Sequence, residues 1–405
     1  MSQSSPDIPR RHGADVERGR RMARALKPLI KGDPEPTAQQ WQAIGESLNH
    51  GDPAMDALVA WMVTHGMGPA RRLFDQAVVQ GIASIDDPPQ PLRQFFEQVE
   101  NTPAWVDQKR LAAGARACGI SGLTGLRALR DLGLMAGYQA SAINRTLVLT
   151  GTLKKGAQRR VAETTKWWLD ATRPGGMARG APGWNSTLQV RLIHALVRRA
   201  LSADARWDSR EYGLPINQCD MHATWLAFSV IFLFGQRLLG VPLSAREGRD
   251  VMHLWKYIGW LMGVEARWLV DSEQQGRVAL YQNLLAQAPP DDSSRELGRA
   301  LMEEPLYRQY KNLGWLRGRW NRALHLSIER TFLGKSGMRA LGLPDGVLPW
   351  YPLISFAPRI SWHMANRVLP GGRARLERQG QRQQQAYLRV LFGQQTPRLI
   401  QDQYH

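Results

Sequence analysis

One short segment of the chain carries a histidine between two arginines at helical spacing. Arg191 precedes His194 by three positions and Arg198 follows it by four, so a helix would place the three side chains on one face. Imidazole can ligate iron, and guanidinium groups can pair with the propionates of a haem. The pattern predicts His194 as a metal ligand and Arg191 and Arg198 as cofactor-binding residues. A histidine that is only hydrogen-bonded inside an apolar core would give the same pattern.

A second group of polar residues lies upstream, again at helical spacing. Arg160, Glu163 and Thr164 fall on one side of a predicted helix over 157–172, and Trp167 follows one turn later. Together these four side chains can line one wall of a pocket.

Several motifs of the chain resemble those of a known family. They stand in this order: Arg160-x-x-x-Thr164, then RLIHAxVR over 191–198, then PINQxD over 215–220, with weaker pieces at 259–263, 343–344 and 369–371. They are similar to motifs of the family that joins bacterial rubber oxygenases (latex clearing proteins) with the mycophenolic-acid-pathway oxygenases. The likeness covers most of the chain from about Ala54 onward.

The resemblance implies an all-helical fold around a non-covalent b-type haem. It implies that His194 is the axial ligand and that Arg160 and Thr164 lie in the pocket as catalytic residues, where they can polarise bound oxygen. The chemistry it implies is the reaction of O2 on ferrous haem with a carbon–carbon double bond, which yields carbonyl products.

Two positions depart from the family pattern. Rubber enzymes carry a lysine immediately before the threonine, where this chain has Glu163, and they carry a catalytic carboxylate in the preceding helix, where 134–153 contains no Asp or Glu. We therefore predict that Glu163 supplies the acid–base group near the iron. The alternative is that Glu163 only pairs with Arg159, Arg160 or Lys166 on a solvated face.

Composition and charge limit the classes of partner. A chain of 405 residues with 43% hydrophobic residues can bury a large core. Its 53 Lys and Arg residues against 35 Asp and Glu give a net charge of +18, which attracts polyanions. Because no nucleic-acid motif accompanies the charge, nucleic acid is not an expected partner. Peripheral contact with the anionic inner face of a membrane and an ordinary solvated surface both fit.

The cysteines and the N-terminal sequence bear on the compartment. Cys118 and Cys219 match neither a disulfide framework nor a zinc site. Arg10-Arg11 is followed by a charged stretch over 12–24 with no apolar core, so we expect no export signal and a cytoplasmic location. That location would differ from the secreted rubber enzymes and puts rubber itself in doubt as the substrate.

Helical periodicity interrupted by breakers runs along the chain, and strand alternation is nearly missing. We expect the all-α class, with one large multi-helix domain around a buried haem pocket. The expected divisions are a disordered polar tail over 1–13, a helical arm over 14–53, the haem-binding domain over 54–370, and a C-terminal basic helix or tail over 371–405.

Three local signals refine this picture. The apolar run over 223–235 is too short to span a membrane and predicts a buried central helix. The stretch Asn185-Ser186-Thr187 is expected to cap the helix that carries His194, and Asn217 or Asp220 is expected to cap the next helix.

The function that these features favour is that of a haem b-dependent oxygenase. Its substrates would be O2 and an apolar, unsaturated, isoprenoid-like compound, and its redox partner is unknown from the sequence. Two other classes fit as well: a haem or O2 carrier without turnover, and a haem-free protein that docks to a membrane or to nucleic acid. Colour would separate the last class from the others, and substrate-dependent oxygen uptake would separate the first two.

Overall fold

The computed structural model describes residues 7–151 and 156–393. The α-helices in these ranges are α1 (Val16–Ala23), α2 (Ala38–Ser47), α3 (Pro53–His65), α4 (Met67–Gln80), α5 (Gln90–Glu100), α6 (Gln108–Ile120), α7 (Gly122–Ala128), α8 (Met135–Gly137), α9 (Ser141–Leu149), α10 (Ala157–Thr172), α11 (Pro182–Ser202), α12 (Ser209–Tyr212), α13 (Gln218–Leu226), α14 (Phe232–Leu238), α15 (Ala245–Leu261), α16 (Glu273–Leu285), α17 (Asp292–Glu303), α18 (Gly314–Ala340), α19 (Trp350–Val368) and α20 (Gly372–Phe392). Two π-helical turns span Leu129–Leu134 and Ala227–Ile231, and 3-10 turns span Arg24–Leu29, Ile82–Ser84, Ala266–Trp268 and Glu304–Tyr307.

The predicted all-α class is confirmed, since the described residues contain no strand. The largest apolar cluster extends from Ala23 in α1 to Leu388 in α20, so one core draws on nearly the whole described chain. Trp168, Trp184 and Trp255 are its largest fully buried side chains. Burial of so much aromatic surface is the main stabilising contribution to a core of this kind.

The last helix is part of this core. Helix α20 packs against α6, α7 and α10, and it buries Leu376, Leu388 and Leu391. Its Gln384 donates a hydrogen bond from Nε2 to the carbonyl of Cys118 at 3.0 Å. Residues 372–392 are therefore helical and packed into the core, and 394–405 lies outside the described residues.

The N-terminal segment differs from the predicted disordered tail where the structure describes it. Arg11 is buried, and its Nη2 donates to Oδ1 of Asp220 at 2.8 Å. The backbone amides of Arg10 and Arg11 donate to the carbonyls of Arg210 and Glu211 at 2.9 and 3.1 Å. A buried guanidinium requires a carboxylate partner, and Asp220 lies 209 positions away, too distant for a local pattern to reveal. Residues 1–6 lie outside the described residues.

One of the local helix signals turns out differently. Helix α11 begins at Pro182 after Ala181 as N-cap, so the prediction of a cap at 185–187 is wrong: proline at the first helical position starts the helix earlier. Asn217 caps α13 as predicted, and its side chain accepts from the amide of Asp220 at 3.0 Å. The run over 223–235 is helical throughout, passing from α13 through a π-helical turn into α14, and all of its residues except 224 are buried or half-buried. Within the described ranges, every helix falls short of the length and apolarity needed to cross a lipid bilayer.

A network of buried ionisable side chains joins the first π-helical turn to α18. Its members are Arg130, Asp131, Glu304, Arg308, His325 and Glu329. Nη1 of Arg130 donates to Asp131 at 2.6 Å and to Glu329 at 3.2 Å. Nη2 of Arg308 donates to Glu304 at 2.7 Å, and Nδ1 of His325 lies 2.8 Å from Asp131.

The charges of this network do not balance if every carboxyl group is ionised. Three carboxylates face two guanidinium groups, because burial lowers the pKa of His325 to about 3 and keeps its ring neutral. Burial, together with the nearby charge of Asp131, raises the pKa of Glu329 to about 8. One of its carboxyl oxygens, Oε2, has no hydrogen-bond partner. Glu329 therefore holds the proton that keeps the network neutral at pH 7.

Candidate functional site

Helices α10 and α11 form an antiparallel hairpin that carries every residue predicted for the site. The closed end of the hairpin is tight: a Cβ atom at Gly183 would lie 2.5 Å from the carbonyl oxygen of Asp170, so only glycine allows this approach. One turn further from the loop, Nε1 of Trp167 donates to Oγ1 of Thr187 at 3.1 Å. The two contacts fix the register between the helices.

This register puts Arg160 and His194 at the same level of the hairpin. Each lies seven residues from the contact between Trp167 and Thr187, which is about 10 Å along a helix. Seven residues make two turns, so each side chain returns to within about 20° of the side that makes the contact. Arg160 and His194 therefore stand on the inner sides of the two helices, opposite one another.

The imidazole of His194 is neutral and has no partner. The side chain is half-buried, Nδ1 is buried without a hydrogen bond, and no bond of either ring nitrogen occurs within 7–151 and 156–393. Burial, aided by the charge of Arg198, lowers the pKa to about 4 against the opposing effect of Asp52. A core histidine is normally hydrogen-bonded, whereas a metal ligand must offer a neutral nitrogen. The state of this ring fits an axial ligand of haem iron.

Arg191 is already paired with a carboxylate of the chain. Its Nε and Nη2 donate to Oδ2 and Oδ1 of Asp52 at 2.6 and 2.8 Å, and Nη1 donates to the carbonyl of Leu261 at 3.1 Å. Asp52 is the N-cap of α3. Both side chains are almost fully buried, and such two-point charged pairs are the strong ones.

Arg198 repeats this arrangement two turns later. Its Nη1 donates to Oδ1 of Asp56 at 2.7 Å and its Nη2 to the carbonyl of Ile216 at 3.1 Å, while Nε is buried without a partner. In this structure the two arginines hold the His194 helix against the start of α3. The role of propionate partners stays a prediction, and a propionate would have to compete with two carboxylates for these groups.

Two further residues enclose the pair of Asp52 and Arg191. Gly263 has φ of +89°, and a Cβ atom there would lie 2.4 Å from Oδ2 of Asp52. Nε2 of Gln218 donates to the carbonyls of Gly51 and Gly263 at 2.7 and 2.9 Å. The sequence offers one signal for these residues, because Gln218 and Gly263 stand in motifs that carry the family resemblance, but it does not reveal what they contact.

The opposite helix presents Arg160, Thr164 and Glu163. Arg160 is half-buried, its Nη1 donates to the hydroxyl of Tyr138 at 3.4 Å, and its guanidinium carbon lies 5.6 Å from the centre of that ring. Thr164 is half-buried on the next turn. Glu163 accepts from Nε of Arg159 at 3.1 Å, with 26% of its side chain exposed. This ion pair is the one expected for a solvated Glu163, while the acid–base role stays a prediction.

Aromatic rings adjoin this polar corner. Trp167, one turn from Thr164, makes an edge contact with Phe228 of the second π-helical turn at 5.2 Å between ring centres. Phe228 stacks on Trp255 of α15 at 5.1 Å. The arrangement offers an apolar wall beside two polar side chains and a neutral imidazole, which suits an apolar molecule that reacts at a polar centre.

Comparison with known proteins gives a concordant result. Residues 124–362, which include the whole hairpin, match a family described as "ER-bound oxygenase mpaB/B'/Rubber oxygenase, catalytic domain". A rubber oxygenase of Streptomyces sp. (strain K30) is 26% identical over 274 residues. The match covers 62% of this chain and 63% of that protein, so the chain spans less than two thirds of its relative.

The fold is also that of a solved structure. A latex clearing protein in its closed state superposes with a TM-score of 0.65 at 20% sequence identity. The superposition covers 84% of this chain and 91% of the other. At this level of identity the likeness concerns the fold alone.

Proposed function

Because the chain belongs to the family of mpaB/B' and rubber oxygenase catalytic domains, we propose that it is a haem b-dependent oxygenase. The proposed substrates are O2 and an apolar, unsaturated, isoprenoid-like compound. The observation that carries the proposal is His194, a neutral imidazole with Nδ1 buried and unpartnered, on the inner side of the α10–α11 hairpin.

The proposed haem would supply the oxygen chemistry, namely oxidation or cleavage of a carbon–carbon double bond by O2. His194 would be the protein ligand of its iron. Arg191 and Arg198, through Asp52 and Asp56, would fix the helix and hence the direction of the imidazole. Such outer contacts commonly decide how well a ligand is oriented.

The residues of α10 would act on the other side of the same space. Arg160 and Thr164 would donate hydrogen bonds to the negative charge that develops on oxygen during the reaction. Trp167 and Phe228 would bind the apolar part of the substrate and exclude water. Glu163 would hold or accept a proton, a contribution typically worth ~10² to 10⁴ in rate.

Haem binding is tested by titrating the purified full chain with haem and recording the visible spectrum. We expect a Soret band in the wild type and loss of most of it in His194→Ala, with unchanged far-UV circular dichroism. His253→Ala is the matched control, because His253 is a buried histidine whose Nε2 is already bonded, to the amide of Asp107 at 3.0 Å. A wild-type protein that binds no added haem would overturn the proposal.

Turnover is tested by oxygen uptake with an emulsion of squalene, an unsaturated isoprenoid hydrocarbon. Uptake should require both the haem-loaded protein and the double bonds, so squalane, the saturated analogue, should give none. Carbonyl products should accumulate with the squalene consumed.

A carrier of haem or O2 without turnover is the second candidate. The observation that favours it is the ion pair of Glu163 with Arg159, which occupies the carboxylate that was expected to do acid–base work. A haem spectrum together with no substrate-dependent oxygen uptake would select the carrier over the oxygenase.

A further inference from the structure

Helix α19 buries two polar side chains and exposes many apolar ones. His363 and Asn366 are buried, whereas Leu353 is 74% exposed and Val368 is 79% exposed. The other apolar side chains exposed on this helix are Ile354, Phe356, Trp362 and Met364. On a surface helix of a soluble domain, polar side chains normally point outward and apolar side chains point inward. The exposed face of α19 therefore fits contact with an apolar environment.

The apolar surface continues onto the start of α18. The rings of Trp320 in α18 and Trp350 in α19 lie 5.2 Å apart. Trp315, Leu316 and Trp320 are 68%, 48% and 57% exposed. Contiguous apolar patches that span two helices are rare on proteins that remain free in water, and tryptophan is enriched where an apolar phase meets water.

The same three helices carry a strong excess of positive charge. Helices α18, α19 and α20 contain thirteen arginines and lysines against two glutamates, Glu329 and Glu377, and Glu329 is fully buried. Three of these cations, Arg339, Arg367 and Arg373, pair with Asp345 and Glu247, and the excess that remains favours a negatively charged environment.

An open groove lies where α19 meets α20. Its volume is about 710 Å³, and its wall includes Trp362, Arg375, Arg378 and Arg382. Within the described ranges none of these three arginines forms an ion pair, and the one hydrogen bond found is from Arg375 to Oδ1 of Asn366 at 3.5 Å. Three guanidinium groups without carboxylate partners around one groove have the chemistry to bind phosphate groups.

We propose that this docking face, the outer side of α19 with the groove of α20, binds the surface of an anionic phospholipid bilayer. Headgroup phosphates would occupy the arginine groove, and the apolar side chains of α19 would enter the boundary between headgroups and acyl chains, as interfacial helices do. A second copy of the chain fits poorly, because a symmetric contact would place the same positive charges against each other. Nucleic acid would leave the apolar side chains uncovered.

The electrostatic part is tested with sedimenting vesicles and the full chain. We expect binding to vesicles of phosphatidylglycerol and phosphatidylcholine, much weaker binding to phosphatidylcholine alone, and release by salt. The variant Arg375→Gln/Arg378→Gln/Arg382→Gln should bind on the order of a hundredfold more weakly, since each arginine near an anionic surface contributes about fivefold. The control Arg24→Gln/Arg72→Gln/Arg249→Gln removes three exposed arginines elsewhere and should bind nearly as the wild type.

The apolar part is tested with two valines of similar exposure. Val368→Asp should weaken vesicle binding at least tenfold, whereas Val79→Asp on α4, where the valine is 65% exposed, should not. Each variant is checked for wild-type circular dichroism. Wild-type protein that does not bind anionic vesicles would overturn the proposal. So would a dimer in sedimentation velocity that Val368→Asp dissociates without any change in vesicle binding, because a second copy would then cover the face. Neither assay depends on haem or turnover.

Discussion

Asp52 and Arg191 are joined at two points, with Nε to Oδ2 at 2.6 Å and Nη2 to Oδ1 at 2.8 Å. The pair connects the N-cap of α3 to the helix of His194. It lies deep in the fold, with 4% of the aspartate side chain and 5% of the arginine side chain exposed. The position of His194 thus depends on a residue 139 positions away in the sequence.

Removal of this aspartate should cost much of the stability of the fold. Asp52→Ala leaves the Arg191 guanidinium buried without a counter-charge, and losses of about 3 to 5 kcal/mol are typical for such changes. Urea unfolding at pH 7 measures the difference. Asp204→Ala is the control, because Asp204 pairs with Arg206 at a similar 2.6 Å on the surface, where such pairs contribute little. Equal stability of Asp52→Ala and the wild type would contradict the structural role of the pair.

His194 should make the fold less stable as the solution becomes acidic. Burial is the main cause that lowers its folded pKa to about 4 from 6.5. A depressed pKa means that the contribution is complete above pH 6.5 and is lost as the pH falls through about 4. The stability of His194→Gln relative to the wild type should therefore improve between pH 7 and pH 4.5, as measured by urea unfolding. His65→Gln, an exposed control on α3, should keep a constant difference, and a constant difference for His194→Gln would show that the ring is not desolvated.

Glu163 should matter for turnover and hardly at all for stability. If it supplies the acid–base group, Glu163→Gln should keep the fold and the Soret band but lower oxygenase turnover well over tenfold. Asp170→Asn offers a matched control, since Asp170 is the other acidic residue of α10 that pairs with a cation one turn away, Lys166. Unchanged turnover in Glu163→Gln would contradict the acid–base role and would indicate that Glu163 serves only as the surface partner of Arg159.

Glu329 should make the wild type less stable as the pH rises. Its folded pKa of about 8 lies above the ordinary 4.5, so the stability present below pH 4.5 is lost as the pH rises through about 8. Each pH unit in this window changes the free energy of unfolding by up to about 1.4 kcal/mol. Glu329→Gln stays neutral, so its melting temperature relative to the wild type should rise between pH 5 and pH 8. The exposed Glu296→Gln in α17 should show no such trend, and neither should Glu329→Gln if the carboxyl group is ionised in the folded protein.

What the sequence could predict was local. The spacing of Arg160, Thr164 and Trp167 is enough to place them on one side of a helix, and the position of His194 between two arginines survives as one face of α11. The all-α class follows from the same periodicity. The wrong cap at 185–187 is also a local error, since Pro182 starts the helix before the polar residues can.

What the sequence could not predict were the partners of charged groups. Arg191 and Arg198 have the spacing of propionate ligands, yet the carboxylates they contact belong to α3, some 140 positions away. Arg11 appeared to belong to a polar tail until Asp220 provided its counter-charge. Periodicity shows which face of a helix is apolar, but not whether anything covers that face, as the outward-facing residues of α19 illustrate.

The direct contacts described between α10 and α11 lie near the loop of the hairpin. Gly183 and Thr187 hold it near the loop, while Arg160 and His194 stand about 10 Å beyond the Thr187 contact. At this distance from the Thr187 contact, a change of about 6° in the angle between the helix axes alters the separation of Arg160 and His194 by about 1 Å. The distance between His194 and Arg160 therefore depends on the angle between the axes of the two helices. Substitutions at Trp167 or Thr187, which lie two helical turns from Arg160 and His194, would change this distance.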